Sequence, residues 1–312
     1  MSAFSAPLSG VRHGMSSLSM VHFDVDQLDP GGSPIRLLDD FRVLGSPFGP
    51  HPHAGFSAIT YLFEDSEGAL RSRDSLGNDL VVGAGGLVWL QSGRGALHEE
   101  TPQDPGRVLH GAQIYVNLRA AHKALPPHTF WLQDADVPQW RDDSDNSVRV
   151  LAGTYRNVAS PLVPAEPFRL LDLAIRTELE LDLVPANCTL LYARDTVTAR
   201  SGGETLHLDA GQVSSVSGSD VVRFSARGAA RVLVLSGAPI DEPCHAEGPF
   251  ILNHPHEVKD AISRYRRGEM GSLQRRLGER VKLGAGQNVY IYSSLFREFG
   301  DDWFPGGKFR VG

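Results

Sequence analysis

The sequence predicts an all-β protein built of two related barrels. Three observations predict it. Short apolar runs rich in β-branched and aromatic residues alternate with turn clusters, and they are too short for free-standing helices. The chain carries 33 Gly and 20 Pro among its 312 residues, enough turn formers to punctuate many short strands. The same β rhythm then repeats after a polar stretch near the middle. A length of 312 residues is long for one compact core and comfortable for two.

In chain order, SMVHFDV (19–25), SAITYLFE (57–64), GLVWLQ (86–91) and AQIYVNL (112–118) read as strands. DPGGSP (29–34), DSEG (65–68), SLGND (75–79) and GAGG (83–86) are the turns between them. DADVPQWRDDSDNS (134–147) has no hydrophobic period and reads as a surface connection between two units. VRVLAGTY (148–155), FRLLDLAI (168–175), CTLLYAR (188–194), DVVRFSA (220–226) and ARVLVLSG (230–237) resume the pattern. Residues 1–140 are thus expected to form the first barrel and 141–270 the second. One segment is helical by its spacing. EVKDAISRYRRG (257–268) puts Val258, Ala261, Ile262 and Tyr265 on one face, and Gly268 is placed to end it. Residues 271–312 form an extension of unassigned role. Its many aromatics are expected to dock on a barrel.

Composition narrows the function classes. Apolar residues are 41%, so a core can form, and the 21% of charged residues are spread along the chain. The net charge of −7 argues against a surface that embraces nucleic acid and favours a protein partner or a small ligand. Two cysteines, Cys188 and Cys244, are too few for a disulfide framework and fit a reducing compartment. No run of about 18 apolar residues occurs, and the first residues lack a signal-peptide core. The expectation is a cytoplasmic protein with no membrane partner.

Two of the histidine sites carry chemistry. His51 and His53 stand two apart, and so do His98 and Glu100. On a strand, side chains at i and i+2 share a face, so each pair can converge on one ion. Glu99 would face the other way, which favours Glu100. If the two strands line one barrel, three imidazoles and one carboxylate meet. That set without thiolate suits Fe(II), Mn, Ni, Cu or Zn, and a six-coordinate ion would keep two positions open. A His-Pro-His also occurs in plain turns, so the residues alone leave both readings open. His254 and His256 form a second such pair with no carboxylate nearby except Glu257, and they read as a solvated helix start. Trp89, Phe48 and Phe56 could line a pocket mouth, and aromatic burial favours core for each. Gln113 and Tyr115 share a strand face and are weaker candidates to meet a ligand.

The stretch 49–102 resembles the signature region of pirins. The residues that carry the resemblance are His51-Pro52-His53, Gly55-Phe56, Tyr61-Leu62, Arg73-Asp74-Ser75, Gly77, Trp89, Gly93, Gly95, His98, Glu100 and Pro102. LLDDF (37–41) upstream and AQIYVNL (112–118) downstream also fit, as does GAPIDEPCHAEGPFILN (237–253) with the helix after it. The resemblance covers about residues 15–270. It implies a bicupin, two jelly-roll barrels of which the N-terminal one alone holds a metal, usually iron, through His51, His53, His98 and Glu100. The sequence departs from the family at Ala54 and Ser57, where many members have Arg and Glu; this bears on substrate preference more than on metal binding.

The resemblance implies quercetin 2,3-dioxygenase-type activity, in which a flavonol or similar aromatic substrate is cleaved with dioxygen. Glu100 would then accept the proton of the flavonol 3-hydroxyl. The alternative it implies is a metal- and redox-sensing regulator that binds a transcription factor or a metabolic enzyme without turnover. A third reading is a bicupin that keeps its metal for stability.

Overall fold

The computed structural model describes residues 4–15, 17–29, 31–45 and 49–273. Phe48 and the aromatic tail from residue 274 onward therefore lie outside the described residues.

The chain forms two seven-stranded antiparallel sheets, each with a four-stranded partner; the second seven-stranded sheet takes six strands from residues 139–237 and its edge strand, Leu8–Ser9, from the N-terminus. In the first half the larger sheet runs His128–Leu132, Leu87–Gln91, Phe56–Leu62, Leu109–Asn117, Ile35–Val43, Leu18–Phe23 and Val11–Met15. Opposite it lie His51–His53, Ala96–Pro102, Leu70–Asp74 and Asp79–Val82. The second half repeats the plan, with Cys188–Ala193, Ala230–Gly237 and Phe168–Ile175 at the centre of its larger sheet. These are the two jelly-roll barrels of a bicupin. The stretch 134–147 is more structured than expected. Gln139–Arg141 pairs with Ser147–Ala152, because Trp140 packs against the second barrel's core.

The two larger sheets pack face to face. Tyr61, Trp89 and Ile114 of the first meet Leu170, Leu190 and Leu235 of the second in one apolar cluster. This explains why the Phe56–Leu62 and Leu109–Asn117 strands are buried at every position rather than alternating. One face fills its own barrel and the other fills the seam. The second barrel's interior is apolar, with Val148, Leu171, Leu173, Leu181, Leu191 and Phe224 among its packing.

The chain then returns to the first barrel. Phe250–Leu252 runs beside Ala54, with the Ile251 N–H donating to the Ala54 carbonyl at 3.0 Å. The helix spans Pro255–Arg266 and buries Val258, Ala261, Ile262 and Tyr265, the face that its spacing predicts. It starts two residues earlier than predicted, because Pro255 suits a first turn and Glu257 accepts the N–H groups of Asn253 and His254, both at 2.9 Å. That helix covers Ala54 and Leu97, on the outside of the strands bearing the histidines.

Candidate metal centre

Two short antiparallel strands place the candidate ligands. His51–His53 pairs with Ala96–Pro102 so that His98 lies opposite His51 and Ala96 opposite His53. With a period of two, His51, His53 and His98 emerge on one face. The approach is close because glycines flank it. Gly55 has φ +88°, and a Cβ there would sit 2.0 Å from the Ile251 carbonyl oxygen. Gly95 has φ +128°, and a Cβ there would meet the Met270 side chain. These positions fix the strand ends against the returning C-terminal segment.

The three imidazoles converge through their Nε2 atoms. His51 Nε2 lies 3.1 Å from His53 Nε2 and 3.0 Å from His98 Nε2. His51 Nδ1 is 2.9 Å from the Gly49 carbonyl, which can only accept, so Nδ1 carries the proton and Nε2 presents a lone pair. Burial lowers the pKa of His51, and lowers those of His53 and His98 well below the ordinary imidazole value. For His53 and His98 the neighbouring imidazole charge adds to this. The ring nitrogens are therefore neutral donors near pH 7. An ion about 2.1 Å from two nitrogens at a right angle would separate them by about 3.0 Å. The observed spacing and the inward lone pair suit a cation, and among the described residues these three form the group able to hold one.

Glu100 emerges two residues beyond His98 on the same strand. It is not part of the tight group of three, and its Oε2 accepts the Thr60 hydroxyl at 2.6 Å. Burial raises its pKa to about 7, against the lowering effect of the Thr60 hydrogen bond. Glu99 faces the other way, as the strand period predicts, and pairs with Arg73. Thr60 also lies 3.1 Å from Gln113 Oε1, and Gln113 Nε2 donates to the Ile59 carbonyl at 3.0 Å. The hydroxyl has one proton for two acceptors. Tyr115 packs its ring against His53 and Phe56, with centroids 5.6 and 4.6 Å apart.

Of the two weaker candidates on that strand, Tyr115 packs against His53, and Gln113 lies against Thr60, the partner of Glu100. Thr60 was not among the candidates read from the sequence. The signal was a polar residue at an inward position between Ala58 and Leu62. Trp89 and Phe56 are fully buried core, as expected. His254 and His256 stack on each other and are exposed at the start of the helix, and they are not in the group of three.

Comparison with known proteins agrees with this architecture. The pirin family model matches residues 8–116, and the pirin C-terminal cupin domain matches residues 171–271. A pirin-like protein of Caulobacter vibrioides is 32% identical over 234 residues, covering 71% of this chain and 79% of that one.

The chain belongs to the pirin family.

Among solved structures, this pirin resembles a quercetin 2,3-dioxygenase from Acinetobacter baumannii. The TM-score is 0.76 with 25% identity, over 88% of this chain and all of that one. A bacterial pirin from Escherichia coli in complex with nickel(II) shares the fold, with a TM-score of 0.58 at 18% identity, over 76% of this chain and all of that one. Among the described residues of this pirin, no helix is long and apolar enough to cross a membrane.

Proposed function

We propose that this pirin is an iron-class metal-dependent dioxygenase acting on flavonol-like substrates, of the quercetin 2,3-dioxygenase type. The observation that carries the reading is the convergence of three neutral imidazoles, with His51 Nε2 3.1 Å from that of His53 and 3.0 Å from that of His98, and a carboxylate of pKa about 7, Glu100, two residues beyond His98 on the same strand. The likeness to the Acinetobacter baumannii dioxygenase supports it.

In this reading His51, His53 and His98 hold the ion, and Glu100 is the carboxylate available to complete the set. Bound there, an Fe(II)-class ion supplies Lewis acidity toward a chelating hydroxyl and ketone, and redox access to dioxygen. Other divalent metals of that class fit the same donors, and the Escherichia coli relative was described with nickel. Glu100 accepts the 3-hydroxyl proton of the flavonol at a carboxylate oxygen, leaving the substrate anionic. A base whose pKa lies near 7 is well matched to take and release that proton at neutral pH. Thr60 holds Oε2 and limits rotation of the carboxylate. Phe56 and Tyr115 pack their rings against His53 and give it an apolar backing.

The test is anaerobic loading with Fe(II), metal content confirmed by elemental analysis, then quercetin and dioxygen. Loss of the flavonol absorbance in step with oxygen uptake is expected. A fully loaded protein that leaves quercetin intact would overturn the reading.

A further inference from the structure

At the seam between the barrels, lined by none of the candidate metal ligands, lies a cleft of about 490 Å³. Its first wall is the outer end of the first barrel's larger sheet. Arg12 stands opposite Val21, and Val21 opposite Asp40, in one cross-strand row. Ser19 stands opposite Arg42 in the next row of the same face. The second wall comes from the other barrel, through Tyr192, Arg194 and the turn 209–212.

The charges here divide into committed and uncommitted groups. Arg194 pairs with Asp65 at 2.8 Å and lies over the Phe63 ring at 3.6 Å. Asp40 accepts the Tyr192 hydroxyl at 2.5 Å and faces His110 Nε2 at 3.2 Å. Arg12 and Arg42 are exposed and have no ion-pair partner among the described residues, and the Asp209 carboxylate and Ser19 hydroxyl are likewise unengaged. Three guanidiniums, of Arg12, Arg42 and Arg194, and two carboxylates, of Asp40 and Asp209, line the cleft, a surplus of one positive charge on a chain whose net charge is −7. A concave site of that sign concentrates anions. The guanidinium fork matches phosphate oxygens in pairs. A carboxylate, which only accepts, is suited to hydroxyl donors on the same ligand.

We infer that this cleft is a second binding site, for a small phosphate monoester bearing hydroxyl groups. Arg12 and Arg42 take the phosphate. Asp209 accepts from the ligand's hydroxyls, and Ser19 adds a hydrogen bond. The volume is within the range of small-molecule sites, and the ligand would touch both barrels at once. The inference is independent of the metal chemistry.

The test is calorimetric titration of the full chain with glycerol 1-phosphate, inorganic phosphate and glycerol. Saturable binding of both phosphates is expected, tighter for glycerol 1-phosphate, with none for glycerol alone. The double variant R12A/R42A should weaken both phosphates by about tenfold or more. Asp209→Asn should cut the advantage of glycerol 1-phosphate over inorganic phosphate and leave inorganic phosphate bound. All three side chains are exposed, so unchanged thermal melts are expected to confirm intact folds. Absence of saturable phosphate binding, or an unchanged Kd in R12A/R42A, would overturn the site. Equal affinity for the two phosphates in the wild type would overturn the hydroxyl-bearing ligand.

Discussion

Replacing Thr60 by Val changes the shape of the site little and removes one hydroxyl. That hydroxyl donates to Glu100 Oε2 at 2.6 Å and holds the carboxylate's pKa down to about 7 against burial. A hydrogen bond to a charged acceptor contributes about 1.5–3 kcal/mol. At about 1.4 kcal/mol per unit, its loss raises the Glu100 pKa by about one to two units. The sign for metal binding follows. With Glu100 in the proposed ligand set, the ion requires the ionised carboxylate, so affinity is flat above the pKa and falls as pH drops below it, because a proton must leave first. In the wild type the apparent metal affinity should bend near pH 7. In Thr60→Val the bend should move up by about one to two units, and Thr60→Ser should restore it. The assay is competition for Fe(II) or Ni(II) with a chromophoric chelator, between about pH 5.5 and 9. A bend at the same pH in all three proteins would refute the role given to Thr60. Some stability should go as well, because Gln113 Oε1 loses its neighbour at 3.1 Å. Thermal melts separate that loss from the shift in pH.

Further outcomes follow from the packing around the centre. Gly55→Ala should destabilise the protein by about 2–4 kcal/mol, through left-handed backbone strain and the push of its Cβ into the Ile251 carbonyl, as read by urea unfolding. A value under about 0.5 kcal/mol would contradict the close approach described. Tyr61→Phe should cost about 1–3 kcal/mol, because the Tyr61 hydroxyl donates to the buried Asp172 at 2.7 Å across the seam. The same unfolding curves test it, and an unchanged midpoint would count against that bond. The Arg73→Ala variant should lose stability in chemical denaturation, because buried Glu99 would be left without its cation, while metal stoichiometry stays unchanged. Loss of metal from that variant would show that Glu99 matters to the centre.

Much of this was legible from residue order, for a physical reason. A strand has a period of two, so His51, His53, His98 and Glu100 could be assigned to common faces before any coordinates, and Glu99 to the opposite one. Strand pairing then carried the histidines together, with His98 opposite His51. What the period cannot supply is rotamer and partner. The side chain of Glu100 turns to Thr60, a residue forty positions away on the opposing sheet. Long-range returns were equally hidden. Nothing local to Ala54 announces Phe250 beside it, and the motif glycine Gly55 shows its steric reason only against the Ile251 carbonyl of that returning segment. The uninterrupted burial of Phe56–Leu62 carried a readable trace of the seam, since a strand apolar on both faces needs two covers. The cleft at Arg12 and Arg42 had no such trace, because its second wall comes from a different barrel.

The central claim is most directly tested by counting metal in His53→Ala beside the wild type. His53 is nearly inaccessible and its Nε2 lies 3.1 Å from that of His51. Both proteins would be loaded anaerobically with Fe(II), desalted and analysed for iron, with circular dichroism confirming the fold. A single ion held by the three histidines gives about one equivalent per chain in the wild type and a small fraction of that in the variant. Equal iron in the two proteins, or none in the wild type, would contradict it.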